Sequence, residues 1–353
     1  MAALATIPSL ESVPAALPCK AIRMGVIGYG YWGTNILRNL QSLSGACVEL
    51  LCDINDESLR RAAQAYPKLR LTKDSADVLF SPRIDAVAII TPVWTHFDLA
   101  KAALKNGKHV FVEKPFTANS IQAEELITLA ERSGLTLMVD HTFLFSAAVR
   151  KIRQLIYSGT LGALYYYDSM RINLGLFQHD VNVIWDLAPH DLSIMDFVVR
   201  SQPMAVSATG QSHIGELEDV AFITIYFPDK MIAHINVNWL SPVKVRSTLI
   251  AGERRMVVWN DLEADEKLKV YDRGVNVCKR EEVYELLVSY RSGLVWIPHL
   301  RGVEALQNEL QYFLECVASK KRPVNSGRAG LRVVKLLEAA SQSLAKGGEL
   351  VYL

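Results

Sequence analysis

The stretch "NVIWDLAPHDLSIMDFVV", residues 182–199, sets a carboxylate, Asp186, four positions before an imidazole, His190, in a run otherwise apolar enough to be core. Histidine is the side chain whose ordinary pKa lies nearest neutral pH, so His190 is a candidate general base for drawing a proton from a hydroxyl. On a helix a spacing of four puts both groups on one face a turn apart, which lets Asp186 orient the ring or hold substrate. The competing reading makes Asp186 a helix N-cap, its carboxylate accepting the N–H groups of the second and third helical residues. Counted from that cap the third residue is Pro189, which has no N–H, so the carboxylate keeps capacity for His190 or a substrate hydroxyl. No metal is expected: Asp186, His190 and Asp191 offer ligands but lack H-x-x-E-H or histidine-cluster spacing. No G-x-S-x-G and no reactive-cysteine setting argues for a nucleophile.

Such groups need a scaffold. At 353 residues the chain exceeds the roughly 250–300 residues of a single core, so two domains are expected. Half the residues are hydrophobic, 21% are charged and the net charge is +1. That describes a globular protein with ample core and excludes disordered, collagenous and disulfide-stapled classes. The balanced charge leaves no footprint for nucleic acid or an anionic membrane. Five scattered cysteines (Cys19, Cys47, Cys52, Cys278, Cys316) form no CxxC pair, as expected of reduced thiols in a cytoplasmic protein. Residues 1–20 lack a basic start and are interrupted by Pro8, Pro14 and Pro18, so they read as a flexible extension rather than a signal peptide. No later run reaches the roughly 18 uninterrupted apolar residues of a membrane span.

From Ala21 the pattern is strand, tight turn, helix: "IRMGVIG" and then "GYGYWGTNILRNLQ". Gly28, Gly30 and Gly33 occupy G-x-G-x-x-G positions, with Tyr29, Tyr31 and Trp32 between them. Gly28 permits the turn, Gly30 lets backbone approach a pyrophosphate, and Gly33 brings helix close to strand. A second strand, "CVELLCD", ends in Asp53 about twenty residues on, where a carboxylate meets ribose hydroxyls. It would repel a 2′-phosphate, and neither Ile54 nor Asn55 is an arginine to receive one, so NAD is expected over NADP.

Strand and helix patterns then alternate through "IDAVAIITP", "HFDLAKAALKNG", "KHVFVEKP", "SIQAEELITLAERSG" and "LTLMVDHTF", implying a doubly wound parallel sheet. Ligands in such sheets bind beyond the carboxyl ends of strands. That marks Thr91, Pro92, Trp94 and His96 after one strand, Glu113 and Lys114 after another, and His141 after a third. From residue 142 the text changes to a helix, "AVRKIRQLIYSG", and alternating strands such as "ALYYYDSMRINLG" and "MIAHINVNWL", closed by two terminal helices. The expected division is an extension over 1–20, a dinucleotide-binding domain over 21–141 and a substrate-binding and oligomerisation domain over 142–353.

At "GYGYWG", "TPVWTH", "FVEKP" and "WDLAPHD", taken in order, the chain resembles the Gfo/Idh/MocA family of NAD(P)-dependent sugar oxidoreductases, from Ile22 onward. The resemblance implies an α/β Rossmann domain followed by an α+β domain on a large open, mostly antiparallel sheet. The face of that sheet commonly packs against another subunit, giving a homo-oligomer, dimer or tetramer. It further implies oxidation or reduction of a secondary hydroxyl on a sugar, inositol or sugar nucleotide. Lys114 would lie beside the nicotinamide and the reacting oxygen, with Asp186 and His190 as the family's Asp-x-x-x-His pair and the histidine as acid/base. Many members carry glycines before and within that pair, where this chain has "VIWDLAPH". The stretch "NLGLFQHDVNVIWDLAPHD" resembles a branch tied to sugar-nucleotide and polysaccharide pathways, so C3 of a nucleotide-linked hexose is one expected target.

In that chemistry a hydride leaves carbon for the nicotinamide and a proton leaves oxygen for His190. Lys114 is the cation for developing alkoxide charge or, if desolvated, a partner in holding the proton. Candidate sugar contacts are His141, Arg171 and Asn173 on one strand face, and Asp180 and Asn182 ahead of the motif, with His179 as ligand or loop. Arg171, Lys244 and Arg246 are cations for a diphosphate. The alternatives are a non-catalytic dinucleotide sensor or corepressor, an inositol or free-sugar dehydrogenase, and elimination or hydrolysis through transient oxidation.

Overall fold

The computed structural model describes residues 21–353 apart from 176, 179, 279–286 and 301, and backbone alone at 276–278 and 287–289. The extension expected over 1–20 and His179 lie outside the described residues.

Six short strands make the first sheet: β1 (Ile22–Ile27), β2 (Ala46–Cys52), β3 (Arg70–Thr72), β4 (Ala86–Ile89), β5 (His109–Val112) and β6 (Leu137–Val139). They run parallel in the order β3-β2-β1-β4-β5-β6. β4 and β6 are buried at every residue, as a parallel sheet covered on both faces requires. The covering helices are α1 (Tyr31–Ser42), α2 (Asp56–Ala65), α3 (Ala76–Leu79), α4 (Val93–Lys105) and α5 (Ser120–Ser133). Strand order reverses between β1 and β4, so a crevice for ligand forms at their carboxyl ends. The doubly wound sheet is as expected from the sequence. Helix α4 starts at Val93 rather than His96, because Pro92, with φ −59°, already sets the corner from extended chain into helix.

A 3-10 turn (Thr142–Phe145) and α6 (Ala147–Tyr157) lead into the second half. It comprises β7 (Leu164–Leu174), α7 (Val183–Val198), β8 (Ala205–Gln211), β9 (Val220–Tyr226), β10 (Ile232–Asn238), β11 (Leu240–Gly252), β12 (Met256–Asn260), β13 (Leu268–Cys278) and β14 (Leu287–Trp296). It closes with α8 (Ala305–Ser319), α9 (Gly327–Ala345) and β15 (Val351–Tyr352). The nine strands lie in the order β14-β13-β12-β11-β7-β10-β9-β8-β15, antiparallel except for β7 beside β10. β9 and β10 bury alternate residues, so Ile223, Ile225, Ile235 and Val237 face inward beneath α7 and α9. The other face is open and carries Met170, Phe222 and Ile232, each about two-fifths exposed.

The terminal helices also brace the first sheet. Ahead of α9, Asn325 donates from Nδ2 to the carbonyl of Val139 at 2.7 Å, and Val139 N–H donates to the carbonyl of Asn325 at 2.9 Å. Ion pairs of Arg328 with Glu131 and Lys335 with Glu124 flank this join, but exposed pairs contribute at most about 1 kcal/mol each. One hydrophobic core therefore runs from Ile36 and Phe313 through Phe145 to Tyr167 and Ile223. No helix among the described residues is long and apolar enough to cross a membrane.

Candidate active site

The glycine turn has little freedom. Gly28 holds φ 102°, and a Cβ there would come within 2.0 Å of the carbonyl oxygen of Ile90. A Cβ on Gly33 would sit 2.3 Å from the carbonyl oxygen of Gly28, so α1 packs directly on the turn. Around Gly30, the N-cap of α1, nothing beyond the adjoining residues lies within 4 Å of where a Cβ would stand, and no side chain caps the helix. Uncapped N–H groups beside open space are what a pyrophosphate needs. Asp53 accepts the N–H of Tyr29 at 2.6 Å and that of Asn55 at 2.8 Å, one on each carboxylate oxygen. Each oxygen keeps a lone pair for a ribose hydroxyl.

Not every residue expected at the nucleotide is free for it. Tyr29 is buried in the core and serves through its backbone N–H alone. Trp32 donates its indole N–H to Asp140 at 2.7 Å. His96 is fully buried, its ring nitrogens 2.9 Å from the carbonyl oxygen of Pro115 and 2.7 Å from that of Thr91. It is a latch between the loops after β4 and β5, which corrects its reading as a cofactor ligand. Burial holds its pKa below the ordinary histidine value, against the pull of those carbonyls. Tyr31 and Trp94 are exposed at the rim, Pro92 caps α4, and the Thr91 hydroxyl meets that of Thr95 at 2.6 Å.

Helix α7 begins earlier than the cap reading placed it. Its N-cap is Asn182, whose Oδ1 accepts the N–H of Trp185 at 3.1 Å while its Nδ2 donates to Glu218 at 2.9 Å. An asparagine just ahead of an apolar run is a favoured cap, and that role replaces the substrate contact expected of Asn182. Asp186 therefore lies in the first turn, where its charge meets the positive end of the helix dipole. Pro189 is inside the helix and has no N–H for the carbonyl of Trp185.

Across the cleft, Lys114 follows β5 through a cis bond to Pro115. Its Nζ donates to the Asp186 carbonyl at 2.8 Å and stands 3.4 Å from Oδ1. The other carboxylate oxygen of Asp186 accepts the Trp239 indole N–H at 3.2 Å. Asp186 thus orients Lys114, not His190, because a cation and an indole claim its carboxylate. His190 is half-buried and meets Phe143 edge to face at 5.1 Å. Its Nδ1 is enclosed without a hydrogen-bond partner. Burial pushes the His190 pKa well below the ordinary value, and Lys114, Arg171, Arg246 and His141 reinforce the shift. The ring is neutral at pH 7.

The expected substrate contacts divide. Arg171 is buried and clamps Asp191 through Nε at 2.6 Å and a terminal nitrogen at 3.3 Å, its guanidinium 4.6 Å over Phe143. Its charge is satisfied inside the fold, which corrects the expectation of a free cation. Arg246 stands 5.8 Å from the same ring and 3.5 Å from Asp261. Asn173 shares the inner face of β7 with Arg171 but is only half-buried. Asp180 and Lys244 are exposed. His141 is 2% exposed, with both ring nitrogens enclosed and unpartnered. It stands too deep for a direct sugar contact. Sequence reading missed Phe143 and Trp239 and weighed Asp191 only as a metal ligand, not as the partner of Arg171; of the three only Asp191, adjacent to His190, had a local signal.

It also missed that Glu113, expected at the cofactor, joins Asp140 and Glu309 in a group of buried carboxyls. Glu309 of α8 accepts the N–H of His141 at 3.0 Å and the Asn325 amide at 2.8 Å on one oxygen. Its other oxygen is enclosed without a donor, as is one oxygen of Glu113. Both stand beside Asp140, which already accepts from Trp32 and Thr142. An enclosed oxygen next to another carboxylate is best satisfied by carrying the proton itself. Accordingly burial, then Asp140, raises both glutamate pKa values well above 4.5. A raised carboxyl pKa contributes stability that is complete below the unfolded value and lost as pH rises through the folded one. Glu309→Gln, which mimics the protonated acid, is expected to retain the fold and flatten part of the loss of melting temperature from acid to mildly alkaline buffer. Glu309→Ala should cost about 1–3 kcal/mol in acid and less as pH rises, since it removes the titrating group and one acceptor of the Asn325 amide, whereas the Val139 carbonyl still accepts the His141 N–H at 2.8 Å.

Known proteins bear on this arrangement. Residues 22–141 match the family model described as an oxidoreductase family with an NAD-binding Rossmann fold, and residues 149–258 match the GFO/IDH/MocA C-terminal domain. UDP-N-acetylglucosamine 3-dehydrogenase of Acidithiobacillus ferrooxidans is 28% identical over 327 residues, 89% of this chain and 94% of that protein. Its solved structure superposes with a TM-score of 0.77 at 26% identity, covering 93% of this chain and 99% of that one. The scyllo-inositol 2-dehydrogenase (NAD(+)) of Bacillus subtilis is 27% identical over 323 residues, 86% of this chain and 88% of that protein. With an NAD-binding half, a matching C-terminal half and the lysine, aspartate and histidine set between them, the chain belongs to the Gfo/Idh/MocA family of oxidoreductases.

Proposed function

We propose that the chain is an NAD-dependent dehydrogenase acting on a secondary hydroxyl of a sugar or sugar nucleotide, C3 of a nucleotide-linked hexose being the specific target. The observation that carries this is Lys114 held by Asp186 at 2.8 Å beside the neutral, half-buried His190, all at the carboxyl ends of the nucleotide-binding strands. The sugar-nucleotide choice draws on the 28% identical relative.

Gly28, Gly30 and Gly33 with the start of α1 would hold the pyrophosphate, and Asp53 the ribose; NAD when bound supplies the hydride acceptor. His190 accepts the hydroxyl proton on a ring nitrogen. Lys114 places its charge at the oxygen where negative charge develops, and Asp186 fixes the ammonium through two contacts. Phe143 and Trp239 wall the cleft against water. A non-catalytic sensor would have no use for a lysine, aspartate and histidine kept in this relation.

The reading divides the chain into a dinucleotide unit over 21–141 and a substrate unit over 142–353. Residues Met170, Phe222 and Ile232 on the open sheet face suit burial against a second copy, so a dimer or tetramer is expected by sedimentation. A cytoplasmic location fits the thiols: Cys52 and Cys316 are buried, each pushed up to about 11 by that burial, and so unreactive.

The deciding experiment supplies NAD with nucleotide-linked hexoses, free sugars and inositols while reduced nicotinamide is followed, then keto sugars with NADH. Turnover of a nucleotide-linked hexose is the expected result. Silence in both directions from folded protein that binds NAD would overturn the proposal.

A further inference from the structure

Two arginines face each other across β7 and β11. Arg171 and Arg246 are register partners in this antiparallel pair, so their side chains leave the same face of the sheet. Like charges placed directly opposite are destabilising. Arg171 offsets that cost with Asp191, at 2.6 and 3.3 Å. Arg246 does so far less well, because its ion-pair partner Asp261 stands 3.5 Å away. Burial and then Arg171 lower the Arg246 pKa, and Asp261 offsets only part of the shift. An arginine stays charged even so.

A guanidinium carries five N–H donors, and the Asp261 pair leaves most of those on Arg246 for another acceptor. They are open to one. The Arg246 side chain is 35% exposed, and none of its nitrogens is enclosed without a partner. They also open beside the reacting groups. Helix α7 packs over β7, β9 and β10, which puts the inner face of β11 at its flank. Phe143 bridges the two sides, 5.1 Å from the His190 ring and 5.8 Å from the Arg246 guanidinium. One aromatic ring thus spans the gap from base to cation, and a pyranose ring is of similar size. Arg246 is accordingly one of the charges that act on His190.

We propose that Arg246 selects an acidic sugar, its guanidinium taking an oxyanion of the substrate, carboxylate or phosphate, while the hydroxyl to be oxidised lies at His190. The proposal rests on the dehydrogenase reading and narrows its substrate to an anion. A planar guanidinium holds two oxygens of either group in parallel hydrogen bonds. The arriving oxyanion also cancels the repulsion between the two arginines, so the like-charge pair is a cost of the empty site that substrate removes. Were Arg246 only a tie between β11 and β12 through Asp261, an apolar side chain on Phe143 would hold the same strands without that repulsion.

The test reads binding and so needs no turnover. In NAD-saturated protein, calorimetry measures the Kd of glucose, glucuronate and glucose 1-phosphate. Wild type is expected to bind at least one of the two acids about 10-fold or more tightly than glucose, and which acid it prefers identifies sugar carboxylate or phosphate as the source of the anion. Arg246→Met should weaken that acid by about 10–100-fold, the range of hydrogen bonds to a charged group, and leave glucose unchanged. Arg246→Lys keeps the charge without the fork and should recover part of the loss. The melting temperature of Arg246→Met should hold or rise, since the repulsion with Arg171 is gone. Wild type with no preference for either acid overturns the proposal. So does Arg246→Met that binds the acids as wild type does, or that loses all three ligands together with a lower melting temperature. Acid binding through Arg246 beside a silent substrate panel counts against the dehydrogenase reading and leaves the anion site standing; sugar turnover that ignores Arg246 does the reverse.

Discussion

Lys114→Met is expected to lower kcat by about 10²–10³-fold, the loss measured when one preorganised donor to a developing oxyanion is removed. NAD affinity, read by quenching of protein fluorescence, should change far less. Methionine matches the lysine stem in length, so the loss reports the ammonium and not the packing. The ammonium is well placed for such a role. Its side chain is 14% exposed, and two oxygens of Asp186 fix it. Low exposure strengthens its field at a nearby oxygen, and prior fixation removes the reorganisation a flexible lysine would need. Lys114→Arg should not restore the rate, because a planar guanidinium cannot put one compact charge at the same point. Stability should fall modestly, since Asp186 keeps the Trp239 contact and is itself 20% exposed. An unchanged kcat, or a loss lying wholly in NAD affinity, would remove Lys114 from the chemistry.

The parts of the molecule that were legible in the sequence share one property: their constraints are local. Strands β4 and β6 are buried on both faces and so appear as unbroken apolar text. Gly28 is dictated by its positive φ and Gly33 by a contact at 2.3 Å with the Gly28 carbonyl, both within one turn. The alternation in "ALYYYDSMRINLG" announced a strand with one wet face, and β7 buries Tyr167, Ser169 and Arg171 in turn. What the text did not carry was competition between distant groups. Asp186 and His190 are four apart, yet the carboxylate is claimed by Lys114, 72 residues away, and Trp239, 53 away. His96 stands where a cofactor ligand would, and only the folded chain brings two carbonyls to its nitrogens. Arg171 was assigned a strand face, but which face lies inward depends on the helix above it, which also supplies Asp191. The cluster of Glu113, Asp140 and Glu309 joins three elements, and no spacing along the chain foretells it.

Those distant claims leave His190 as the unengaged base of the site, which leads to the second large effect. His190→Gln is expected to lower kcat/KM for sugar oxidation by about 10²–10⁴-fold, the range of a positioned general base. Glutamine keeps a polar group of similar size beside Phe143 but cannot take a proton at neutral pH. The wild-type pH profile should carry the same signature. Oxidation requires the neutral ring, so kcat/KM is full above the folded pKa and falls as pH drops through it. Because burial and the surrounding cations hold that pKa below 6.5, the acid limb should lie below 6.5 as well. In the reductive direction the protonated ring is needed, and the rate should rise as pH falls through the same region. Lys114→Met removes the first-named of those cations, so in that variant the residual acid limb should move toward higher pH. A limb that stays fixed in Lys114→Met, or persists unchanged in His190→Gln, would assign the titration to another group and the base to another residue.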